Sequence, residues 1–345
     1  MAPEPVSGPQ AALETSIAVL GAGSWGSALA IQLARSGVDC VLWGRSADHV
    51  SSMRAERGNT RFLPGVTFPD KVLFEASLER AVRTCAEVLI AVPSHAFVDL
   101  VQRIQPHLRA DQGVAWASKG LEPGSGHFLH QAAQSILGNH RPLAVVTGPS
   151  FAVEVARGMP TAVTVAGTDP DYCQTLAQAL HGGSFRAYTS EDIVGAELGG
   201  AVKNVLAVAT GISDGMHLGN NARAALITRG LAEMMRLGHA LGAQKQTLTG
   251  LAGMGDLVLT STGDLSRNRR LGLALGAGVS LEKAVTDIGQ VVEGVSTSAE
   301  VWRLAQRHQV DMPISEQVNG IIHHGWNPKK CLSDLLAREQ KPERI

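Results

Sequence analysis

Six residues, Gly21-Ala22-Gly23-Ser24-Trp25-Gly26, constrain this chain more than any other stretch. An apolar run, Ile17 to Leu20, leads into them, and a helical pattern from about Ser27 to Arg35 follows. The spacing G-x-G-x-x-G occurs by chance in many loops, but between a strand and a helix it marks a turn built to hold a dinucleotide. There Gly21 makes the tight turn, Gly23 lets the backbone approach a pyrophosphate, and Gly26 lets the helix lie close on the strand. The pyrophosphate would sit on the unpaired N–H groups of the first helical turn. The competing reading is a glycine-rich turn that joins strand to helix without a ligand.

Which dinucleotide fits depends on the end of the second expected strand, Val38 to Trp43. Sites for NAD place an Asp or Glu there to accept hydrogen bonds from the ribose hydroxyls. This chain has Gly44-Arg45-Ser46 instead. An arginine suits the additional phosphate of NADP through charge-assisted hydrogen bonds. Asp48 follows and can still serve a ribose. NADP(H) is therefore the expected cofactor and NAD(H) the second choice, with Arg45 as a solvated loop arginine the competing reading.

At 345 residues the chain exceeds what one core usually fills, so two domains are expected. From Ile17 to about Thr189 strands alternate with helical patterns, which argues for a parallel sheet covered on both faces. The expected strands are Ile17 to Leu20, Val38 to Trp43, Val88 to Val92, Val114 to Ala117, Leu143 to Thr147, Thr161 to Val165 and Phe185 to Tyr188. After Ser190 only helical patterns remain, the first from Ile193 to Thr210. The fold class is α/β, a Rossmann-type doubly wound sheet followed by an all-helical C-terminal domain. The expected division is a flexible tail over 1–15, a dinucleotide-binding domain over 16–189, a helical substrate and catalytic domain over 190–335, and a tail over 336–345. Ligands of such sheets bind beyond the carboxyl ends of the strands, so the loops Pro93-Ser94-His95, Ser118-Lys119-Gly120 and Gly148-Pro149-Ser150-Phe151 should gather round the cofactor.

Several classes of function find no support. A formal net charge of −1 and a pI near 6.9 give no general attraction to nucleic acid or to an acidic membrane surface. The uninterrupted apolar runs fall short of a membrane span, so no membrane insertion is expected. The first residues lack the basic start and apolar segment of a signal peptide. Cys40, Cys85, Cys173 and Cys331 form no C-x-x-C pair and read as buried, reduced thiols, which suits a cytoplasmic protein. No metal site is expected, because the pair His323-His324 points in two directions and no third ligand stands at a useful spacing.

The chemistry concentrates in the second half. The helix around Gly195 to Leu206 is apolar almost all round and is interrupted by one lysine, Lys203. Gly199 and Gly200 lie one turn before it and leave room there for a ligand. A buried lysine needs an anionic partner, or its pKa falls towards the range useful for proton transfer. A catalytic Lys203 and one whose stem snorkels to water both remain open. Downstream come Gly253-Met254-Gly255-Asp256 and then Ser266-Arg267-Asn268-Arg269-Arg270 at the start of a helix. Three arginines oppose the helix dipole there, a conflict that a bound anion would resolve. Ser266 can cap the helix while Arg267 and Asn268 hold a phosphate. The competing readings are a solvated basic turn and, for Asp256, an ordinary turn cap.

With these motifs in view, the chain resembles the bacterial NAD(P)-dependent glycerol-3-phosphate dehydrogenases. The resemblance covers roughly residues 16 to 330 and is carried, in order, by GAGSWGSALA, VPSHAF, ASKGLE, TGPSFAVEVARGMPTAV, AVKNVLAVATGISDG, GLAGMGDLVLT, SRNRR and GQVVEG. It implies reduction of dihydroxyacetone phosphate to sn-glycerol 3-phosphate, the backbone precursor of membrane phospholipids. It implies that Lys203 gives and takes the proton and that Lys119 touches both substrate and nicotinamide. Gly148 and Ser150 resemble substrate contacts, with Ala152 on the cofactor. Asp256 would contact the substrate or orient Lys203, and Ser266, Arg267 and Asn268 would hold the phosphate, Arg267 also reaching the cofactor. Val291 and Glu293 would close over the dinucleotide, as Ser24 and Trp25 do from the first loop. Another two-domain reductase, such as a ketopantoate reductase or a hydroxyacid dehydrogenase, and a non-catalytic NADP(H) sensor are the alternatives. The oligomeric state stays open, with a homodimer as the candidate.

Overall fold

A computed structural model describes residues 13–339. Its ten strands are β1 (Leu13–Leu20), β2 (Cys40–Trp43), β3 (Gly58–Asn59), β4 (Leu63–Thr67), β5 (Val72–Glu75), β6 (Cys85–Ile90), β7 (Val114–Trp116), β8 (Leu143–Thr147), β9 (Thr161–Gly167) and β10 (Phe185–Ser190). Eight of them form one sheet in the order β10-β9-β8-β7-β6-β1-β2-β5, and β3 with β4 makes a separate hairpin. Helices α1 (Ser24–Arg35), α2 (Ala47–Glu56), α3 (Leu78–Thr84), α4 (Phe97–Ile104), α5 (Leu129–Leu137), α6 (Ala152–Ala156) and α7 (Pro170–Leu180) lie between the strands.

The two-residue period of the strands sorts their side chains between two cores. Ile17, Val19, Cys40 and Leu42 face a layer with Leu29 of α1, Val155 of α6 and Leu176 of α7. Ala18, Leu20, Val41 and Trp43 face the opposite layer with Phe97 and Val101 of α4 and Leu129 of α5. β1 pairs in parallel with both β2 and β6, so the chain leaves it to opposite sides. A crevice therefore opens beyond the carboxyl ends of β1 and β6, where the Gly21 turn lies.

Three expectations need correction. β8 and β9 run antiparallel, so β9 and β10 oppose the direction of the other six strands. An apolar strand reads the same in either direction, and the sequence carries no sign of the reversal. β5 adds an edge strand beside β2 within a segment that showed no strand signal. Finally, β1 starts at Leu13, which pairs with Cys85, so the strand reaches into the expected tail. The rest of that tail, 1–12, and the C-terminal residues 340–345 lie outside the described residues.

Beyond Ser190 the described elements are helical: α8 (Ile193–Gly215), α9 (Gly219–Ala240), α10 (Lys245–Thr249), α11 (Asp256–Thr262), α12 (Arg267–Gly276), α13 (Leu281–Ile288), α14 (Glu293–Arg307), α15 (Pro313–His324) and α16 (Pro328–Leu336). Every residue of α8 from Gly195 to Ser213 is buried. The helix is long and apolar enough to cross a membrane, but 94% of its most apolar window is covered by protein, which makes it the core helix of this half. Its first turn reaches the sheet as well, since Ile193 and Ala196 pack with Trp116, Phe97 and Leu129. α12 crosses α8 at backbone contact. A Cβ on Gly211 would stand 2.2 Å from the Arg269 carbonyl oxygen, and one on Gly272 would stand 2.2 Å from that of Val208. Only glycine permits this approach, which sets the start of α12 beside Lys203 and Asn204.

Candidate active site

The first turn has the form its sequence demands. Gly21 has φ of +130°, and a Cβ there would meet the Ala91 carbonyl oxygen at 2.5 Å. A Cβ on Gly26 would fall 1.8 Å from the Gly21 oxygen, so α1 closes on the turn itself. At Gly23 the same atom would meet nothing within 4 Å, leaving an open face. α1 has neither a side-chain cap nor an acid in its first turn, so its leading N–H groups are left for an anion. Beside them the Trp25 indole nitrogen is buried without a hydrogen-bond partner. This cradle fits the pyrophosphate of a dinucleotide.

The turn is braced by a segment that sequence reasoning missed. Asn59 donates to the Ala22 carbonyl at 3.1 Å and to Ser27 Oγ at 2.8 Å, while Ser24 Oγ donates to the Phe62 carbonyl at 2.6 Å. Ser24 is thus tied to the loop of the β3–β4 hairpin. At the end of β2, Arg45 is exposed and makes no hydrogen bond or ion pair with the described residues. Ala152 is half-buried as the first residue of α6.

The centre forms where the exit of β7 meets α8 and α11. Lys119 Nζ donates to Asp256 Oδ2 at 2.6 Å and to the Gly148 carbonyl at 2.9 Å. Lys203 Nζ donates to Asp256 Oδ1 and to Thr260 Oγ1, both at 3.0 Å. Asp256 is 1% exposed and Lys203 7%. Burial alone would raise the Asp256 pKa, but the two ammonium groups outweigh it and hold the carboxyl below its usual range. Burial lowers Lys203 to about 8, with Lys119 adding to the effect and Asp256 opposing it. The balance that the sequence left open therefore falls to burial, and Lys203 becomes an amine able to give or take a proton near neutrality.

Gly199 and Gly200 do not leave the room expected of them. A Cβ on Gly199 would meet the Ala252 carbonyl oxygen at 2.4 Å, and one on Gly200 would meet Thr147 Oγ1 at 3.2 Å and Lys119 Cγ at 3.6 Å. They admit protein instead. The π-type turn Leu251–Gly255 presses onto α8 and carries Asp256 to Lys203, while the stem of Lys119 crosses the helix at Gly200. Gly148 has φ of +132°, and its carbonyl also accepts from Ser150 Oγ at 2.9 Å.

The basic cluster divides. Ser266 caps α12 through the N–H of Arg269 at 3.2 Å. Arg269 turns inward to Asp214 and Asp264, at 2.7 Å each, so its charge is neutralised by protein and not by a ligand. Arg267 donates to the Val291 carbonyl at 2.8 Å. Asn268 donates to Asn204 Oδ1 at 2.8 Å and accepts from the Gly294 N–H at 2.9 Å. Asn204 in turn donates to the Lys119 carbonyl at 3.3 Å. Glu293 opens α14 and accepts from Ser94 Oγ at 2.8 Å, and Val291 is 42% exposed beside it.

Lys119, Gly148, Ser150, Lys203 and Asp256 thus form one cluster, and Ser266, Arg267, Asn268, Val291 and Glu293 connect to it through Asn204 and the start of α14. Thr260 and Asn204 escaped the sequence reading. Thr260 stands one helical turn after Asp256, and Asn204 directly follows Lys203; those spacings were the available signals. Among the described residues, no group of three or more His, Cys, Asp or Glu side chains is placed to hold a metal ion.

A dinucleotide cradle at a sheet switch point, together with a lysine from the sheet half that meets a lysine and a carboxylate of the helical half, defines a two-domain nicotinamide-dependent oxidoreductase. Comparison with known proteins sharpens the class. Residues 16–173 match the family model for the N-terminus of NAD-dependent glycerol-3-phosphate dehydrogenase, and residues 192–333 match that for its C-terminus. This chain belongs to that family. Glycerol-3-phosphate dehydrogenase [NAD(P)+] of Stenotrophomonas maltophilia is 60% identical over 327 residues, covering 95% of this chain and 96% of the relative. The solved glycerol-3-phosphate dehydrogenase from Coxiella burnetii is 48% identical with a TM-score of 0.91, covering 94% of this chain and 99% of that one. A ketopantoate reductase from Ralstonia eutropha is 17% identical with a TM-score of 0.59, covering 92% of this chain and 99% of that one, a likeness of fold alone.

Proposed function

We propose that this chain reduces dihydroxyacetone phosphate to sn-glycerol 3-phosphate with NADPH, accepts NADH as the second cofactor, and so supplies the backbone of glycerophospholipids. The observation that carries the reading is the pair of ammonium groups on one buried carboxylate, Lys119–Asp256–Lys203. When bound, the reduced nicotinamide supplies the hydride. The Gly21 to Gly26 turn and Trp25 hold the pyrophosphate, Arg45 meets the phosphate peculiar to NADP, and Ala152, Arg267, Val291 and Glu293 line the remainder.

Charge grows on the ketone oxygen as the carbon is reduced, and a donor at that oxygen lowers the barrier. Lys203 gives its proton to the oxygen, and Lys119 stabilises the same charge from the opposite side of Asp256. Asp256 keeps the two ammonium groups close despite their repulsion, and Thr260 fixes Lys203 from the side. In the reverse direction Lys203, neutral above about 8, takes the proton from the alcohol. Ser266, Arg267 and Asn268 hold the substrate phosphate, with Gly148 and Ser150 lining the path between. Binding at this remote phosphate orients the carbonyl.

The test is loss of NADPH absorbance with purified protein and dihydroxyacetone phosphate, repeated with NADH and with ketopantoate. Rapid oxidation with the phosphate ester alone is the expected result. Turnover of ketopantoate in its place overturns the substrate assignment.

A further inference from the structure

Glu197 has no part in the chemistry above, yet it is a carboxylate of 4% exposure in the seam between the sheet and the helical half. It stands on α8, six residues before Lys203 and so about 9 Å along the helix axis. Three donors from the dinucleotide side converge on it. Trp116 Nε1 on β7 donates to Oε1 at 3.1 Å, and the backbone N–H of His130, in the first turn of α5, donates to the same oxygen at 3.1 Å. His130 Nδ1 lies 2.5 Å from Oε2. Both carboxylate oxygens are engaged, and the position at the start of α5 is one where a helix favours negative charge.

The surrounding side chains, Phe97, Leu129, Ile193 and Ala196, are apolar, and an apolar residue would satisfy them without the desolvation that a carboxylate carries. Directed hydrogen bonds add what apolar packing lacks, a fixed register. Trp116 ends β7, and Lys119 follows three residues later on the same exit. The carboxylate that grips Trp116 belongs to the helix that carries Lys203. One group therefore ties together the two elements that bring the lysines to Asp256.

We infer that Glu197 is a positioning residue for the reaction, setting β7 and α5 in register against α8 and thereby placing Lys119 beside Lys203 and Asp256. This rests on the proposed assignment of Lys119 and Lys203 as the reacting pair. Lys203 faces Asp256, Lys119 and Arg267. Of these, Asp256 and Arg267 belong to the helical half, so loss of register withdraws the like charge of Lys119 alone.

The experiment compares Glu197→Ala, Glu197→Gln, Trp116→Phe and Lys203→Ala, measuring kcat for dihydroxyacetone phosphate across pH and NADPH affinity by fluorescence. Glu197→Ala is expected to lose about 100-fold in kcat, the scale of a small misplacement at a reacting centre, with NADPH affinity nearly unchanged. Its alkaline limb should move to higher pH as Lys119 withdraws. Glu197→Gln keeps an acceptor for Trp116 and the His130 N–H and recovers most of the rate. Trp116→Phe removes one donor and leaves the carboxylate, and it should show the same upward shift with a smaller loss. That variant carries the test if Glu197→Ala does not fold. Wild-type kcat and pH profile in Glu197→Ala or Trp116→Phe overturn the inference, as does a loss of NADPH affinity in proportion to kcat. Lys203→Ala separates the two readings: if it is inactive while Glu197→Ala is unchanged, the inference alone fails, and if it is active, the reacting pair is wrong.

Discussion

Lys119 and Lys203 reach a single carboxylate from two halves of the molecule, at 2.6 and 3.0 Å from opposite oxygens of Asp256. Neither lysine has a comparable anion elsewhere in the described residues. The arrangement places two positive groups side by side in a buried site, which is costly at rest and useful only when negative charge develops between them.

Replacing Lys203 with alanine removes the proposed proton donor and leaves the Gly21 turn untouched. We expect kcat to fall about 10²- to 10⁴-fold, the usual contribution of general acid catalysis, with NADPH binding nearly intact. Steady-state kinetics beside a fluorescence titration checks both parts, and activity within a few-fold of wild type would remove Lys203 from the mechanism.

The pH dependence follows from the same residue. Burial brings Lys203 to about 8. Ketone reduction needs its protonated form, so kcat in that direction should fall as pH rises through about 8. Oxidation of glycerol 3-phosphate needs the neutral amine and should rise through the same window. Profiles that slope alike in both directions would contradict the assignment.

Asp256→Asn tests the carboxylate itself. Without its charge the opposition to burial disappears, and Lys203 loses its proton more readily. The alkaline limb of reduction should move to lower pH and kcat should drop by about 100-fold, because two ammonium groups no longer share a counter-ion. An unchanged limb would mean that Lys203 does not sense Asp256.

Much of this was legible in the sequence, because the signals were local. The turn at Gly21 is specified by three glycines within six residues, Gly21 held at a positive φ and Gly26 closing on the Gly21 oxygen, and Lys203 stands out as the one lysine in an apolar helix. What escaped depends on contacts between distant segments. Asn59 looks like any loop asparagine, yet it holds the Ala22 carbonyl from 37 residues away. Gly199 and Gly200 suggest space for a ligand because the sequence does not show that the π-type turn and the stem of Lys119 occupy it. Arg269 carries the same ambiguity, since Asp214, which takes its charge, is 55 residues earlier.

Arg45 offers a test of cofactor choice. It is exposed and unpaired among the described residues, so alanine there should disturb nothing else. NADPH affinity should weaken by about tenfold, the scale of one hydrogen bond to a charged group, while NADH affinity changes little. Equal losses for the two cofactors would place the discrimination at another residue.

The contact between α8 and α12 yields the last prediction. A Cβ on Gly272 would stand 2.2 Å from the Val208 carbonyl oxygen and 2.8 Å from Gly211 Cα, all backbone atoms that cannot rotate away. Gly272→Ala must therefore push the helices apart, and overpacking of this kind costs about 1–3 kcal/mol, read as a lowered melting temperature. The start of α12 carries Arg267 and Asn268, whereas the Gly21 turn lies on another part of the chain. The Michaelis constant for dihydroxyacetone phosphate should thus rise more than that for NADPH, which meets α12 through Arg267 alone and keeps the Gly21 turn. If the constant for dihydroxyacetone phosphate stays at wild type although the melting temperature falls, α12 does not hold the substrate phosphate as proposed.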